Sequence, residues 1–543
     1  MPEFNLIDEP WIPCIDLEDR RVDLGIRETL LKAHELREIC DDSPLVTVAI
    51  HRLLLAILYR AYQGPEDFQS WKRFFTSRAF NRGIISIYLD NFFDRFYLIS
   101  EDQPFFQMAS LVMKKTVPIT RLATECASGN NATLFDHCFD EEDAHWSPAQ
   151  AAKWLMACQS YALGFGKSGT ATINGKDERL PYSSDAIALR GMTIWLKGKT
   201  LFETLMINLP PTSDTSTPPW EINDSNQYRD RLHGNERKTI ASLGTVDLFT
   251  WQSRLLRLLS TNGSFSRMYF AQGRSADKSL SDPMKVYRMS KEEGISPLAL
   301  SGGKAMWRDA HSIFTIPSGK SREKRPECFN LAARAKSIGI VRPDEQFVTH
   351  VVGLATAPNK AGKFLLWRHE RMPVPVALLS ENSLIEQLGR LLENAEQAAS
   401  ELNRRIRRIV KLYLSPDAES PGGRQPDKNE IGKVVESREP RPAYWARLEK
   451  HFFELLDNLH NDWDTEKDQW KPDKCRTAAI TWRSQLKSEA RKALEESIRS
   501  LGTTARLIQA VARVRTDFHD DDLEPLQKKI EMAKRRIKGG EKR

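Results

Sequence analysis

From Leu384 onward, apolar side chains recur every three or four residues: Leu384, Leu388, Leu391, Ala395, Ala398, Leu402, Ile406, Ile409 and Tyr413. That spacing lays one apolar stripe along a single helix of about 30 residues. Ser383 and Glu386 have the spacing of a capping box at its start. A polar stretch from Ser415 to about Pro440 follows, and amphipathic segments return at about 442–463, 473–501 and 503–517. Four helices with short or polar connections predict an antiparallel four-helix bundle over residues 381–543.

Residues 1–380 carry a different pattern. Short apolar runs such as Ile85 to Leu89 alternate with Pro and Gly. The stretch from Pro44 to Tyr62 predicts a helix with a broad apolar face. A second helix is announced by Ser147 as N-cap, Pro148 at the first helical position and Gln150 at the third. Ala151, Trp154, Leu155, Cys158 and Ala162 continue it at helical spacing. Val351-Val352 and Phe364-Leu365-Leu366 flank residues 355–363, which predicts a hairpin with a cationic tip. Long irregular stretches occupy 209–226, 270–283 and 315–326, and loops of that length are often functional. The fold class expected is α+β: a large mixed N-terminal domain over 1–380, followed by the C-terminal four-helix bundle over 381–543. No internal repeat of 20–50 residues is visible.

Composition narrows the partners without choosing one. The 543 residues are 40% hydrophobic and 28% charged, with a net charge of +7. A mild basic excess permits a polyanionic partner only where the charge is gathered locally. The seven cysteines (Cys14, Cys40, Cys126, Cys138, Cys158, Cys328, Cys475) are odd in number, widely spaced and contain no CxxC pair. Neither a disulfide framework nor a cysteine zinc site is supported. The first residues lack the basic start and apolar core of a signal peptide. The apolar run Leu53 to Leu58 is shorter than the roughly 20 residues a bilayer requires. A cytoplasmic protein without a membrane partner is the expectation.

Gly164-Phe165-Gly166-Lys167-Ser168-Gly169 is literally GxGxxG. A dinucleotide site needs a strand before it and a helix after it. Here a helix is predicted before it, and strand or loop after it. A phosphate-binding P-loop fails too, because Tyr161 stands where its first glycine belongs. What remains is a glycine-rich cationic loop, able to bring backbone close to a ligand, or a plain helix-to-strand connector. His311, Asp309, His369 and Glu370 would be the ligands of a metal-dependent hydrolase, but no ligand-spaced motif joins them. The tail from Lys528 to Arg543 has a basic excess suited to phosphate contacts or to a solvated terminus. A third possibility is a helical interaction scaffold that touches no nucleic acid.

Several segments, taken in order, resemble one family. They are Phe4 to Pro13 (FNLIDEPWIP), Gln103 to Gln107, Asn130 to His137, the Gly164 loop, Asp247 to Gln252 and Trp367 to Glu370. With a helical bundle closing the chain, they are similar to the CasA-type large subunit of the type I-E CRISPR surveillance complex, Cascade. The resemblance implies a non-catalytic subunit with no cofactor and no metal, seated beside the 5′ handle of the crRNA. It would recognise the protospacer-adjacent motif in target double-stranded DNA, aid duplex opening and R-loop formation, and recruit a helicase-nuclease. Its partners would be the crRNA, the target duplex and the backbone, small and handle-binding subunits of the complex.

The resemblance also assigns residues. Asn131, Phe135, Asp136 and His137 would form the loop anchoring the subunit near the crRNA handle. Gly164, Phe165, Gly166 and Lys167 would lie against the minor groove. Lys285, with Lys278 as the alternative, would reach into that groove, where acceptors dominate and a lysine can donate. Asn359, Lys360 and Ala361 would form a wedge between the strands, an insertion that costs a few kcal/mol of unstacking. Lys167 stands where the family commonly has glycine, and Lys360 where glutamine is expected. The cysteine pairs of some relatives are absent.

Overall fold

The computed structural model describes the chain except for residues 1–2, 126–143, 165, 215, 225–226, 229, 232–240, 278–279, 291–293, 301–302, 318–320, 357–363, 462, 465–468, 471 and 525–543. The chain divides into two compact units. The first comprises residues 1–306, 316–341 and 347–372, and the second residues 307–315, 342–346 and 373–543.

The first unit is a set of small sheets packed around buried helices. Strands β1 (Ile12–Asp16), β2 (Arg21–Leu24) and β3 (Leu36–Ile39) form an antiparallel sheet in the order β2-β1-β3. Helix α1 (Pro44–Tyr62) follows, with proline in its first turn. It is long and apolar enough to cross a membrane by length and composition, and most of it is buried inside this structure. Its predicted broad apolar face is in fact nearly its whole circumference: residues 44–59 are all buried. The apolar run Ile85 to Leu89 lies in a further helix, Arg82–Asn91, capped by the Asn81 side chain.

Helix α2 (Pro148–Tyr161) begins as its sequence predicts, with the Ser147 hydroxyl accepting from the Gln150 amide. Four short strands follow: β4 (Gly166–Lys167), β5 (Thr170–Ile173), β6 (Lys176–Arg179) and β7 (Tyr182–Ser183). Strand β8 (Thr193–Lys197) is succeeded by the short helix α3 (Thr245–Phe249) and by a long hairpin, β9 (Arg254–Thr261) and β10 (Ser264–Gln272). The hairpin predicted around residues 355–363 has its strands in place as β11 (Gln346–Thr356) and β12 (Phe364–Pro375), in the sheet order β8-β11-β12.

The second unit is helical. Its long helices are α4 (Asn382–Leu414), α6 (Arg441–Asn461) and α7 (Pro472–Ser500), with the shorter α5 (Lys428–Glu436) and α8 (Ala505–Ala512). The predicted stripe is buried as a strip, with Leu388, Ala398, Leu402, Ile406 and Ile409 all fully covered. Two aromatic side chains of α6 and α7 tie themselves to the α4 backbone: Tyr444 donates to Ala395 O at 3.0 Å and Trp482 to Leu391 O at 2.9 Å.

Three details differ from the sequence expectation. The Ser383–Glu386 capping box does not form. The amides of Leu384 and Ile385 already bond to Glu381 O, so Ser383 lies inside the first turn rather than before it. The polar stretch after Ser415 contains α5, whose amides at Asn429 and Glu430 are capped by Asp427. The last helix is shorter than 503–517, because Asp522 draws Arg515 and the His519 amide into a turn beyond Ala512.

Candidate nucleic-acid interface

The glycine-rich segment is neither a dinucleotide nor a phosphate loop. It runs out of α2 into strand β4, as its flanks predict, and β4 pairs with β7 in the register Gly166 to Ser183 and Lys167 to Tyr182. Directly opposed residues of an antiparallel pair share a face. The Lys167 side chain is exposed, and Tyr182 beside it is 63% exposed. Gly166 sits at φ +91° and a Cβ there would meet nothing within 4 Å. The loop therefore offers open backbone next to a cation and an aromatic ring. Gly164 is a different case: its amide donates to Asp185 Oδ1 at 3.0 Å, and a Cβ would press on Ser183 O at 3.1 Å. Arg190, with a well exposed side chain, approaches the same carboxylate at 3.5 Å.

Beneath the loop lies a buried guanidinium that the sequence did not reveal. Arg254 Nη2 donates to Ala162 O at 3.0 Å, Leu163 O at 2.8 Å and Ser184 O at 2.9 Å. Its Nη1 reaches Ser253 O at 2.8 Å and Gln272 Oε1 at 3.1 Å. Burial pulls its pKa down to about 10, which leaves it charged at neutral pH. The carbonyls at 162 and 163 follow the end of α2, where a cation is favoured by the helix dipole. No motif marks Arg254, because a charge heading the apolar run Leu255-Leu256 looks like an ordinary strand end.

Lys285, expected as a groove reader, is buried in this structure rather than displayed on the exposed β4–β7 surface. It is 3% exposed, and its ammonium donates to the carbonyls of Ile187 and Arg190. Burial pushes its pKa down to about 8, against the pull of Asp282. Asp282 is itself held by Arg52 at 2.7 Å in the interior. A lysine spent on two backbone carbonyls is an anchor and displays no donor to a ligand. The alternative, Lys278, lies outside the described residues. So do Phe165, the wedge residues Asn359, Lys360 and Ala361, the handle-loop residues Asn131, Phe135, Asp136 and His137, and the tail Lys528 to Arg543.

The side chains of the hydrolase alternative are engaged elsewhere. Asp309 and His311 belong to the second unit, and His369 and Glu370 to the first. Glu370 accepts from the Met306 amide at 2.7 Å and pairs with Arg368 at 2.7 Å. His369 Nε2 lies 3.0 Å from His350 Nδ1, and His369 stacks on Trp195. Burial holds His350 down to a pKa of about 2 and His369 to about 4, with Arg371 adding to both shifts. Among the described residues no three His, Cys, Asp or Glu side chains are gathered as a metal site.

Residues 5–493 match the family described as CRISPR-associated protein Cse1. The CRISPR-associated protein CasA/Cse1 of Thermus thermophilus is 31% identical over 523 residues, spanning 95% of this chain and 97% of that protein. A solved structure of Thermus thermophilus CasA superposes with a TM-score of 0.74 at 28% identity, covering 94% of this chain and 97% of that one. Cse1 of Acidimicrobium ferrooxidans gives a TM-score of 0.75 at 24% identity, covering 94% and 96%, a likeness of fold. A chain of a structure described as a CRISPR RNA-guided surveillance complex gives 0.70 at 20% identity over 94% and 99%, again a likeness of fold.

Proposed function

The chain belongs to the CRISPR-associated Cse1 (CasA) family, and from that premise we propose that it is the large, non-catalytic subunit of a cytoplasmic RNA-guided surveillance complex. In this reading it recognises the protospacer-adjacent motif in double-stranded DNA, helps open the duplex and recruits a helicase-nuclease. Its partners are the crRNA, the target duplex and the other subunits of the complex.

The observation that carries the reading is the β4–β7 surface: open backbone at Gly166, with Lys167 and Tyr182 side by side and exposed. A loop without side-chain bulk can approach a narrow groove, and its lysine can neutralise a phosphate or donate to the acceptors of the groove floor. Such a reader accepts several related motifs because the minor-groove code is degenerate. Lys278, and the wedge residues Asn359, Lys360 and Ala361, complete the proposed duplex contacts. Asn131, Phe135, Asp136 and His137 are proposed to anchor the subunit near the crRNA handle.

The test is duplex binding by the assembled crRNA complex with and without this chain, at fixed salt, on targets with randomised bases beside the protospacer. The chain is expected to confer a preference for particular flanking base pairs, and Lys167→Ala and Lys360→Ala to weaken it. Equal binding with and without the chain would overturn the reading.

A further inference from the structure

We propose that Gln272 and Arg254 are positioning residues, whose buried hydrogen bonds hold the glycine loop in the one placement from which it can discriminate flanking base pairs. The proposal rests on the duplex-facing reading of that loop.

Residues 164–183 form an excursion of four short strands that leaves α2 and returns to Ser184. Both ends meet on Arg254, through Ala162 O and Leu163 O on the way out and Ser184 O on the way back. Gln272 completes the closure from the neighbouring strand end. Its Oε1 accepts from the Ser184 amide at 2.9 Å as well as from Arg254. Its Nε2 faces Ser184 Oγ, Ser275 Oγ and the carbonyls of Ser253 and Arg274, each at 3.3 Å. Its backbone N–H, which Gln272→Met would leave in place, donates to Ser168 Oγ at 3.1 Å, inside the glycine loop itself. Ser184 Oγ and Ser275 Oγ are joined directly at 3.2 Å.

Arg254 and Gln272 are each 1% exposed, so neither touches a ligand. The guanidinium's contacts include four backbone carbonyls and the Gln272 side chain. A buried guanidinium is normally paired with an anion because its desolvation is costly. Asp185 bears electrostatically on Arg254, and its carboxylate also accepts from the Gly164 amide at the start of the loop. Every acceptor named for the two side chains belongs to a connection rather than to a regular strand interior, apart from Gln272 Oε1 itself at the end of β10. The hydrogen bonds therefore determine where the connections lie, which a sheet or helix would otherwise leave open. Ser275 extends the same network into the segment after β10, and Lys278 stands three positions further along the sequence.

The experiment uses the full chain in the assembled crRNA complex, with Gln272→Met, which keeps the side-chain length and removes the amide. Ser184→Ala is the milder second variant, removing only one hydroxyl from the network. The readout is the ratio of affinities for duplexes with preferred and non-preferred flanking base pairs, with the salt dependence of each. A destabilised but correctly built loop lowers the active fraction and weakens all duplexes equally, leaving the ratio unchanged. A displaced loop lowers the ratio: about 5–10-fold for Gln272→Met and about 2-fold for Ser184→Ala, at one hydrogen bond or a few. The salt slope is expected to stay at its wild-type value, because Lys167 is retained. An unchanged ratio in Ser184→Ala together with an unchanged or unassembled Gln272→Met overturns the proposal. Lys167→Ala run in parallel separates the two levels. If it alters neither salt slope nor ratio, the duplex reading of the loop fails. If it alters them while the Ser184 and Gln272 variants do not alter the ratio, only the positioning proposal fails.

Discussion

Lys285→Met decides between a buried anchor and a groove reader. Methionine keeps the length of the apolar stem and removes the ammonium, which donates to Ile187 O and Arg190 O in the interior. Each abandoned carbonyl forfeits a charge-assisted donor at about 1–3 kcal/mol. The desolvation of the ammonium, which pushes its pKa down to about 8, is relieved in return. A net loss of about 2–3 kcal/mol remains as the expectation. At about 2 cal/mol/K of unfolding entropy per residue, a unit of roughly 350 residues converts that into a fall in Tm of about 3–4 °C. The pH dependence adds a second signature. The folded pKa lies below the ordinary value of 10.5, so the unfolded chain binds more protons between about pH 8 and 10.5. Stability from this group therefore rises with pH across that window, and the gap between wild type and Lys285→Met widens there. Calorimetry of the isolated chain at pH 7 and at pH 9.5 measures both. An unchanged Tm with a gap that stays flat, alongside lost flanking-base discrimination in the assembled complex, would refute the anchor and restore Lys285 to the groove.

Other expectations are independent of that one. Lys167→Ala removes one displayed cation, so the slope of log K against log salt for duplex binding by the assembled complex should become shallower by about 0.9; an unchanged slope would take Lys167 off the phosphates. His350 and His369 are held neutral by burial, with pKa values of about 2 and 4. The unfolded chain takes up protons at these residues as pH falls below about 6.5, so stability present above that pH is lost on going down towards 4. His350→Gln should flatten part of the resulting fall in Tm, and an equally steep fall in the variant would count against the histidine pair as its source. Gly389→Ala should destabilise the helical unit in spite of a helix-propensity gain of about 1 kcal/mol, because the new Cβ would lie 2.5 Å from His311 Cδ2. The clash is expected to outweigh the gain by about 1 kcal/mol in chemical denaturation, and a more stable variant would show that His311 yields freely.

The long-range pattern of the chain was legible because it rests on periodicity. The apolar stripe of α4, the Ser147 cap of α2 and the strands flanking residues 357–363 all follow from local spacing. The placement of a single lysine was not. Lys285 follows Asp282-Pro283-Met284 in a basic, irregular stretch, and nothing local distinguishes a displayed ammonium from a buried one. Its acceptors, Ile187 O and Arg190 O, lie more than 90 residues away in the chain. Arg254 escaped notice for the same reason, since its carbonyl partners at 162, 163 and 184 are brought to it only by tertiary structure. The capping box at Ser383 failed differently: the helix starts two residues early, with Glu381 as its N-cap, because Glu381 O already accepts from the Leu384 and Ile385 amides.

Three of the segments that carry the family resemblance turn out to be anchors in this structure. In Asp247 to Gln252, Asp247 holds Arg231 and Arg274, Leu248 O accepts from Arg52, Arg274 lies 3.7 Å over Trp251, and Gln252 donates to Tyr228. In Gln103 to Gln107, the Gln107 side chain accepts from the Leu258 amide and donates to Leu98 O, both at 2.8 Å. In the opening decapeptide, Asn5 accepts from the Ile7 amide and Trp11 donates to Leu6 O. Buried polar groups must each find a partner, and few combinations of residues satisfy a given set of backbone groups, so such places acquire a recognisable spelling. The β4–β7 surface is under no such constraint. Lys167 is exposed and a Cβ at Gly166 would meet open space, so the fold tolerates many residues there. A lysine at 167, where the resemblance leads to the expectation of glycine, therefore changes what the surface offers a polyanion without a substitution in the buried network beneath it. These three segments belong to the scaffold, and under the proposed function the positions at which a preference among DNA sequences would be sought are 167 and 360.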